Sequence, residues 1–396
     1  MSRFLDRASP PHILTLVVAT AVSALATNVF LPSLPGMARY FGTDYAMAQL
    51  TVSVYLAATA ILQLGIGPAS DRFGRRPVML FCLGMFVAGS AMAILAPTIE
   101  VLLAARVLQS FSAAGMVLAR AIVRDTVASD EAASRIGYIT MGMALVPMVA
   151  PVIGGLLEEI HGWQASFGAM LAFGLVAFTM AFLDLGETNR ATTTGMAAQV
   201  RAYPGLLRLV PFWSYTLSMA FASGIFFVLV GAGPLVATAI LGLSPSGYGL
   251  YFGLISLGYV IGNFLSGRYS RRLGTNAMTL YGNLVAASGV VIAFLLFASG
   301  LGSALSLFGP MTLVGIGNGM TMPNAGAGVV SVRPDLAGSA SGLAGAFQLG
   351  TAATVSALAG IVVTPQTGIN ALLGLMFTCA LAATFSSSMV VLSRRR

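Results

Sequence analysis

Long apolar runs alternate with short polar breaks along the whole chain. Each run is close to, or longer than, the roughly 20 residues that cross a bilayer's hydrocarbon core as a helix. They predict twelve helices, at 12–40, 46–70, 77–96, 99–122, 133–158, 163–184, 209–240, 246–267, 275–298, 303–330, 337–363 and 369–392. One polar interval is much longer than the rest: residues 185–208, LGETNRATTTGMAAQVRAYPGLLR. It divides the chain into a six-helix bundle over 1–184, a linker, and a second six-helix bundle over 209–396. The expected fold class is an all-α membrane protein of 12 transmembrane helices in two pseudo-symmetric six-helix bundles.

Composition sharpens this reading. Of the 396 residues 57% are hydrophobic and only 8% charged, against about 25% charged in soluble domains. Lipid must therefore be the solvent. The 46 glycines fit close helix–helix approach in lipid. The net charge of +8 invites a nucleic-acid partner, but the positions argue otherwise. All 20 basic residues are Arg, and 18 of them fall at the termini or in or beside one alternate set of breaks; Arg39 and Arg106 are the exceptions. The positive-inside rule then puts both termini in the cytoplasm and accounts for the charge. Cys82 and Cys379 lie in separate runs and read as packing residues. No small-residue cleavage site follows the first run, which reads as a retained helix. Trp163 and Trp213 open helices, where aromatic belts belong.

The halves echo each other. DRFGRR (71–76) and GRYSRR (267–272) match at Arg72/Arg268, Arg75/Arg271 and Arg76/Arg272, an offset of 196 residues, each after the second helix of its half. In the first copy, GPASDRFGRR (67–76), two glycines permit a tight turn. Asp71 suits the positive N-terminal end of another helix, and Arg75 suits an acid on a neighbouring helix, with Asp125 the candidate. The stretch resembles the loop between helices 2 and 3 of the major facilitator superfamily, Gly-x3-Asp-Arg-x-Gly-Arg-Arg/Lys. Gly67, Asp71, Arg72, Gly74, Arg75 and Arg76 all match. The resemblance implies a latch that holds the two halves outward-facing and breaks when the protein turns inward. A plain positive-inside cluster with a weak surface pair is the alternative.

RVLQSFSAAG (106–115) places Arg106 about two turns inside helix 4, where a charge must face the protein interior or a wet cavity. Gln109 shares its face. The stretch resembles the superfamily's Arg-x2-Gln-Gly pattern, with Ser110 in place of Gly. A snorkelling side chain is the alternative. GYITMGMALVPMVAPVIGG (137–155) resembles the helix-5 antiporter motif: Gly137, Pro151, Gly154 and Gly155 match, Val146 and Ala150 replace glycines, and Pro147 is additional. Two prolines four apart are expected to bend the helix.

TNVFLPSLPGMARYFG, ARAIVRD, Gly162-Trp163 with Phe167, and PNAGAGVVSVRPDLAGSASGLAGAFQLG (323–350) are similar to the bicyclomycin/chloramphenicol-resistance family of bacterial drug:proton antiporters. This resemblance spans nearly the whole chain. It implies multidrug or antibiotic efflux from the inner membrane by alternating access, driven by the proton motive force. No catalytic residue, metal or cofactor is expected. The implied partners are a small-molecule substrate and membrane lipid, for a monomer. One departure matters. Asn28 stands where the family usually keeps a membrane Asp, and Asn cannot titrate. None of the 12 acids maps to mid-membrane, and neither His does. Asn28 reads as a cavity residue beside the bend set by Pro32 and Pro35, or as glue between helices. By expected depth the other cavity candidates are Tyr55, Met116, Met143, Phe226, Phe227, Tyr251, Asn318, Asn324 and Gln348. With Arg106 the one core charge, the cavity is expected to favour neutral or anionic amphiphiles. The competing function is uncoupled exchange of a neutral or anionic metabolite. A receptor or scaffold fits less well, because the loops are short.

Overall fold

The computed structural model describes residues 4–7, 9–127, 129–189 and 203–393. Among the described residues all regular structure is helical, as lipid demands when a chain must satisfy its own backbone. Twelve long helices follow in order. The first bundle holds α1 (Ile13–Phe41), α2 (Tyr45–Phe73), α3 (Arg75–Ile94), α4 (Ile99–Thr126), α5 (Ser129–His161) and α6 (Trp163–Asp184). The second holds α7 (Val210–Ile240), α8 (Pro245–Leu273), α9 (Thr275–Ala298), α10 (Ala304–Val332), α11 (Ala337–Val362) and α12 (Gly368–Ser393). Of the proposed linker, 190–202 lies outside the described residues.

Eleven of the twelve helices are long and apolar enough to span a membrane on composition alone; α10 falls short. The reason is packing. A methyl at Gly317 would collide with the Gly282 carbonyl of α9, and one at Gly319 with the Tyr259 carbonyl of α8. Gly258 and Gly262 of α8 lie as closely on Thr312 and Ile316 of α10. Wedged between two neighbours at backbone distance, α10 gives up greasy side chains for glycine.

Helix α1 is interrupted at its prolines by a 3-10 turn at Leu31–Ser33, and α5 carries Pro147 and Pro151 inside its helix. Two local expectations need revision. The repeat is displaced. Gly74 (φ 98°, ψ 151°) separates α2 from α3, and its conformational twin is Gly274 (φ 81°, ψ 157°) between α8 and α9. The true offset at this corner is thus 200 residues rather than 196. Arg75 and Arg76 open α3, whereas Arg271 and Arg272 still belong to the last turn of α8. Trp163 does open α6, but it is buried against Tyr40, Phe41 and Phe167 instead of facing a membrane interface.

Candidate functional site

The two bundles meet along α2 with α11 and α5 with α8. At the end away from the arginine clusters these pairs are shut. A methyl at Gly155 of α5 would overlap the Pro245 carbonyl of α8, and one at Gly249 of α8 would overlap the Pro151 carbonyl of α5. Ser246 donates its backbone N–H to Glu159 Oε1 at 2.9 Å across the same junction. Tyr45 donates its hydroxyl to the Gly231 carbonyl at 2.8 Å, and Gln49 Nε2 donates to Ser356 Oγ at 2.7 Å. At the Arg-rich end the glycines of these four helices show no such contact. At Gly65 and Gly67 of α2, Gly137 of α5, Gly267 of α8, and Gly338 and Gly342 of α11, an added methyl would meet nothing within 4 Å. The halves are pressed together at one end, and the glycines of the Arg-rich end make no such contact.

The loop of 67–76 lies at the Arg-rich end. Arg75 Nε donates to Asp125 Oδ2 at 3.0 Å, and its Nη1 pairs with Asp71 at 2.5 Å and donates to Ser70 Oγ. Arg76 donates to the Leu185 and Phe182 carbonyls, which caps the C-terminal end of α6. Arg72 lies over the Phe73 ring, and Gly67 supplies its carbonyl to Ser70 Oγ. Sequence reasoning missed two members. Glu187 accepts the backbone N–H groups of Arg75 (2.9 Å) and Arg76 (3.3 Å) at the start of α3, and its carboxylate fills the space a Cβ at Gly74 would need. Asn189 donates to the Asp71 carbonyl at 2.8 Å. An acid 112 residues from Arg75 leaves no spacing signal. None of the described bonds of this loop reaches the second bundle.

Arg106 is wholly buried. Its Nε donates to the Thr51 carbonyl of α2 (2.9 Å), Nη2 to the Ala26 carbonyl of α1 (3.0 Å) and Nη1 to Gln109 Oε1 (2.7 Å). The guanidinium also lies between the rings of Phe30 and Tyr55, 4.3 and 4.4 Å from their centroids, a favourable cation–π sandwich. Gln109 passes the connection to Ser90 of α3 and Met170 of α6. The pair was expected on a cavity wall; in this conformation it is sealed inside the first bundle, and it does not snorkel. Tyr55 is sealed too, its hydroxyl shared by Ser23 and Ser112.

The other expected cavity residues divide. Met116, Met143, Phe226, Phe227, Tyr251 and Gln348 are half-buried. Phe226 packs on Phe227 and Phe252, Tyr251 stacks on Phe308, and Gln348 rests on Met322 Sδ. Asn324 joins α10 to α8 through Ser266 Oγ at 2.8 Å. Asn318 is buried and its Oδ1 has no hydrogen-bond partner. Asn28 is buried, donates to the Ala24 carbonyl of its own helix at 2.8 Å and leaves Oδ1 without a partner.

The helix-5 glycines act on two sides. A methyl at Gly154 would overlap the Val29 carbonyl, so α5 touches α1 backbone to backbone beside the α1 turn, while Gly155 touches α8.

Comparison with known proteins places this architecture. The family model described as Major Facilitator Superfamily matches residues 16–355. A chloramphenicol resistance protein of Pseudomonas aeruginosa is 32% identical over 77% of this chain and 73% of its own length. Multidrug resistance protein D of Escherichia coli is 29% identical, covering 92% of both chains. Among solved structures, a bacterial homologue of the human lysosomal transporter Spinster, inward-facing and occupied, superposes with a TM-score of 0.76 at 17% identity over 97% of this chain and 96% of its own. With the family model spanning most of its length and drug-resistance relatives covering both halves, the chain belongs to the major facilitator superfamily, on its bicyclomycin/chloramphenicol-resistance branch.

Proposed function

We propose that the chain is a bacterial inner-membrane efflux transporter for neutral or amphiphilic antibiotic-like compounds, working by proton-coupled antiport through alternating access. The observation that carries this reading is the junction between the halves, pressed shut by α2–α7, α2–α11 and α5–α8 contacts at one end only among the contacts described. A carrier has to present that geometry in alternation. The names of the relatives supply the cargo class. In this reading the protein is a monomer with both termini cytoplasmic, the Arg-rich end faces the cytoplasm, and residues 185–208 link the bundles. The loop of Asp71, Arg75 and Asp125 releases the second half here and grips it in the outward-facing state. No cofactor beyond the proton gradient takes part.

Asn28 favours a second reading, uncoupled exchange of a neutral or anionic metabolite, since the usual titrating group is absent there. Proteoliposomes holding an internal pH dye separate the two. Chloramphenicol-dependent proton flux supports antiport; transport indifferent to the pH gradient overturns it.

A further inference from the structure

We propose that Gln63 of α2, with Gln348 of α11, forms a hydrogen-bonding site for a neutral amide or hydroxyl group of the cargo. The inference rests on the efflux reading above and names the chemical group that the junction between the halves recognises.

The junction of α2 with α11 can be followed turn by turn. At the shut end Gln49 is buried, donates to Ser53 Oγ and to Ser356 Oγ across the junction, and lies against Gly360. About four turns further along α2, Gln63 shares that face. A methyl at Gly345 of α11 would stand 3.4 Å from Gln63 Nε2 and 3.6 Å from Oε1. Among the glycines of this junction it is the last such contact. Gly67, one turn beyond Gln63, and Gly342, one turn beyond Gly345, have nothing within 4 Å of an added methyl. Gln63 therefore stands where the close contact between the halves ends.

What Gln63 lacks is a partner. Its Nε2 is buried with no hydrogen bond, and so is the hydroxyl of Thr59, one turn nearer the shut end of α2. Gln348, one turn from Gly345, donates its Nε2 to Met322 Sδ at 3.5 Å, and a thioether is a weak acceptor. Both glutamines are half-buried, so part of each side chain stays accessible. A buried donor without an acceptor costs free energy, and apolar binding sites orient their ligands with a few convergent polar groups. An oxygen acceptor on the cargo would satisfy Gln63 Nε2 and take the place of sulfur at Gln348. The two carboxamide oxygens can in turn accept from an N–H or O–H. Charge offers no competing anchor: Tyr45 to Ser70 of α2, all of α10 and all of α11 are without a charged residue. Two carboxamides with no counter-ion select a neutral group that both accepts and donates, as an amide or an alcohol does. One carboxamide comes from each half, so the bound group spans the junction where its own contacts end.

The test uses the full chain in proteoliposomes, with chloramphenicol and bicyclomycin, which both carry amide and hydroxyl groups, as probes. Drug counterflow without a pH gradient gives KM and the maximal rate, and melting in detergent without drug gives the thermal midpoint. Gln63→Met keeps the bulk and removes the amide. It is expected to raise KM about fivefold and to leave the maximal rate near wild type. The drug-free thermal midpoint should stay level or rise, because no hydrogen bond is lost. Gln348→Met is expected to raise KM about twofold. A wild-type KM in Q63M overturns the assignment and leaves the efflux reading standing. A drug-free midpoint several degrees lower in Q63M assigns Gln63 a structural role and also overturns it. A KM that responds at Gln63 and not at Gln348 overturns the two-amide site. A wild-type protein that exchanges neither probe overturns the efflux reading, and this inference with it.

Discussion

At the centre of the first bundle the polar knot is a guanidinium, Arg106; at the centre of the second it is an amide, Asn283. Arg106 ties α4 to α1 and α2, and through Gln109 to α3 and α6. Asn283 of α9 donates to Ser218 of α7 and to the Ala383 carbonyl of α12, and accepts from Thr321 of α10. Both knots join several helices without a carboxylate. They differ in stakes: an ion out of water depends on every one of its acceptors, an amide much less so. The same asymmetry recurs at the helix 2–3 corner. In the first half Asp71, Asp125 and Glu187 surround Arg75; in the second, Arg271 occupies the position matched to Asp71, and Arg268, Arg271 and Arg272 are exposed. Equal architecture therefore carries unequal wiring. The arginine repeat records a shared membrane orientation, and the acids decide where it becomes a device.

Substitutions can break this contrast. The largest effect is expected from Arg106→Met. It removes the charged donor from the Thr51 and Ala26 carbonyls and leaves the buried Gln109 Oε1 without its partner. The expected loss is about 3–5 kcal/mol, read as a large fall in thermal midpoint in detergent. A melting curve within a few degrees of wild type would show that the knot is dispensable. Asn283→Ala should cost less, about 1–3 kcal/mol, by the same scan. The glycine twins come next. Gly74→Ala places a methyl on the Glu187 carboxylate at a left-handed φ, and Gly274→Ala meets open space at a similar φ. Both carry backbone strain of about 1–3 kcal/mol. The additional loss at Gly74 should vanish in a Glu187→Ala background, which a double-mutant cycle measures. The smallest effect is expected from Arg271→Ala with Arg272→Ala, within about 0.5 kcal/mol. A larger loss there would mean that the second corner has partners of its own.

Much of the fold was legible in the sequence, because apolar length is what lipid requires of each helix. The Arg75–Asp125 pair was legible too, since it stands within one recognisable pattern. What escaped shows where reading a chain stops. Helix α10 looked like any other span, and only its neighbours reveal why it is poorer in apolar residues. Trp163 sat where an interface anchor belongs, but the end of α1 folds over it. Glu187, Glu159 with Ser246, and Gln49 with Ser356 are meetings between distant segments, and no local periodicity encodes them. Arg106 was rightly placed in the interior. Whether it faced water or protein depended on packing from α1 and α2 that its own helix does not specify.

Gly154 and Gly155 are neighbours in the chain and face opposite duties. If each half moves as one body, the contact at Gly154 lasts for the protein's lifetime, and the contact at Gly155 is made and unmade in every turnover. Backbone pressed on backbone has no rotamers to freeze when it closes, so little side-chain entropy changes hands in either direction. Interlocked leucines at the same place would have made one end state a trap. A bare seam keeps the two states close in free energy, and lets cargo and gradient decide which one prevails.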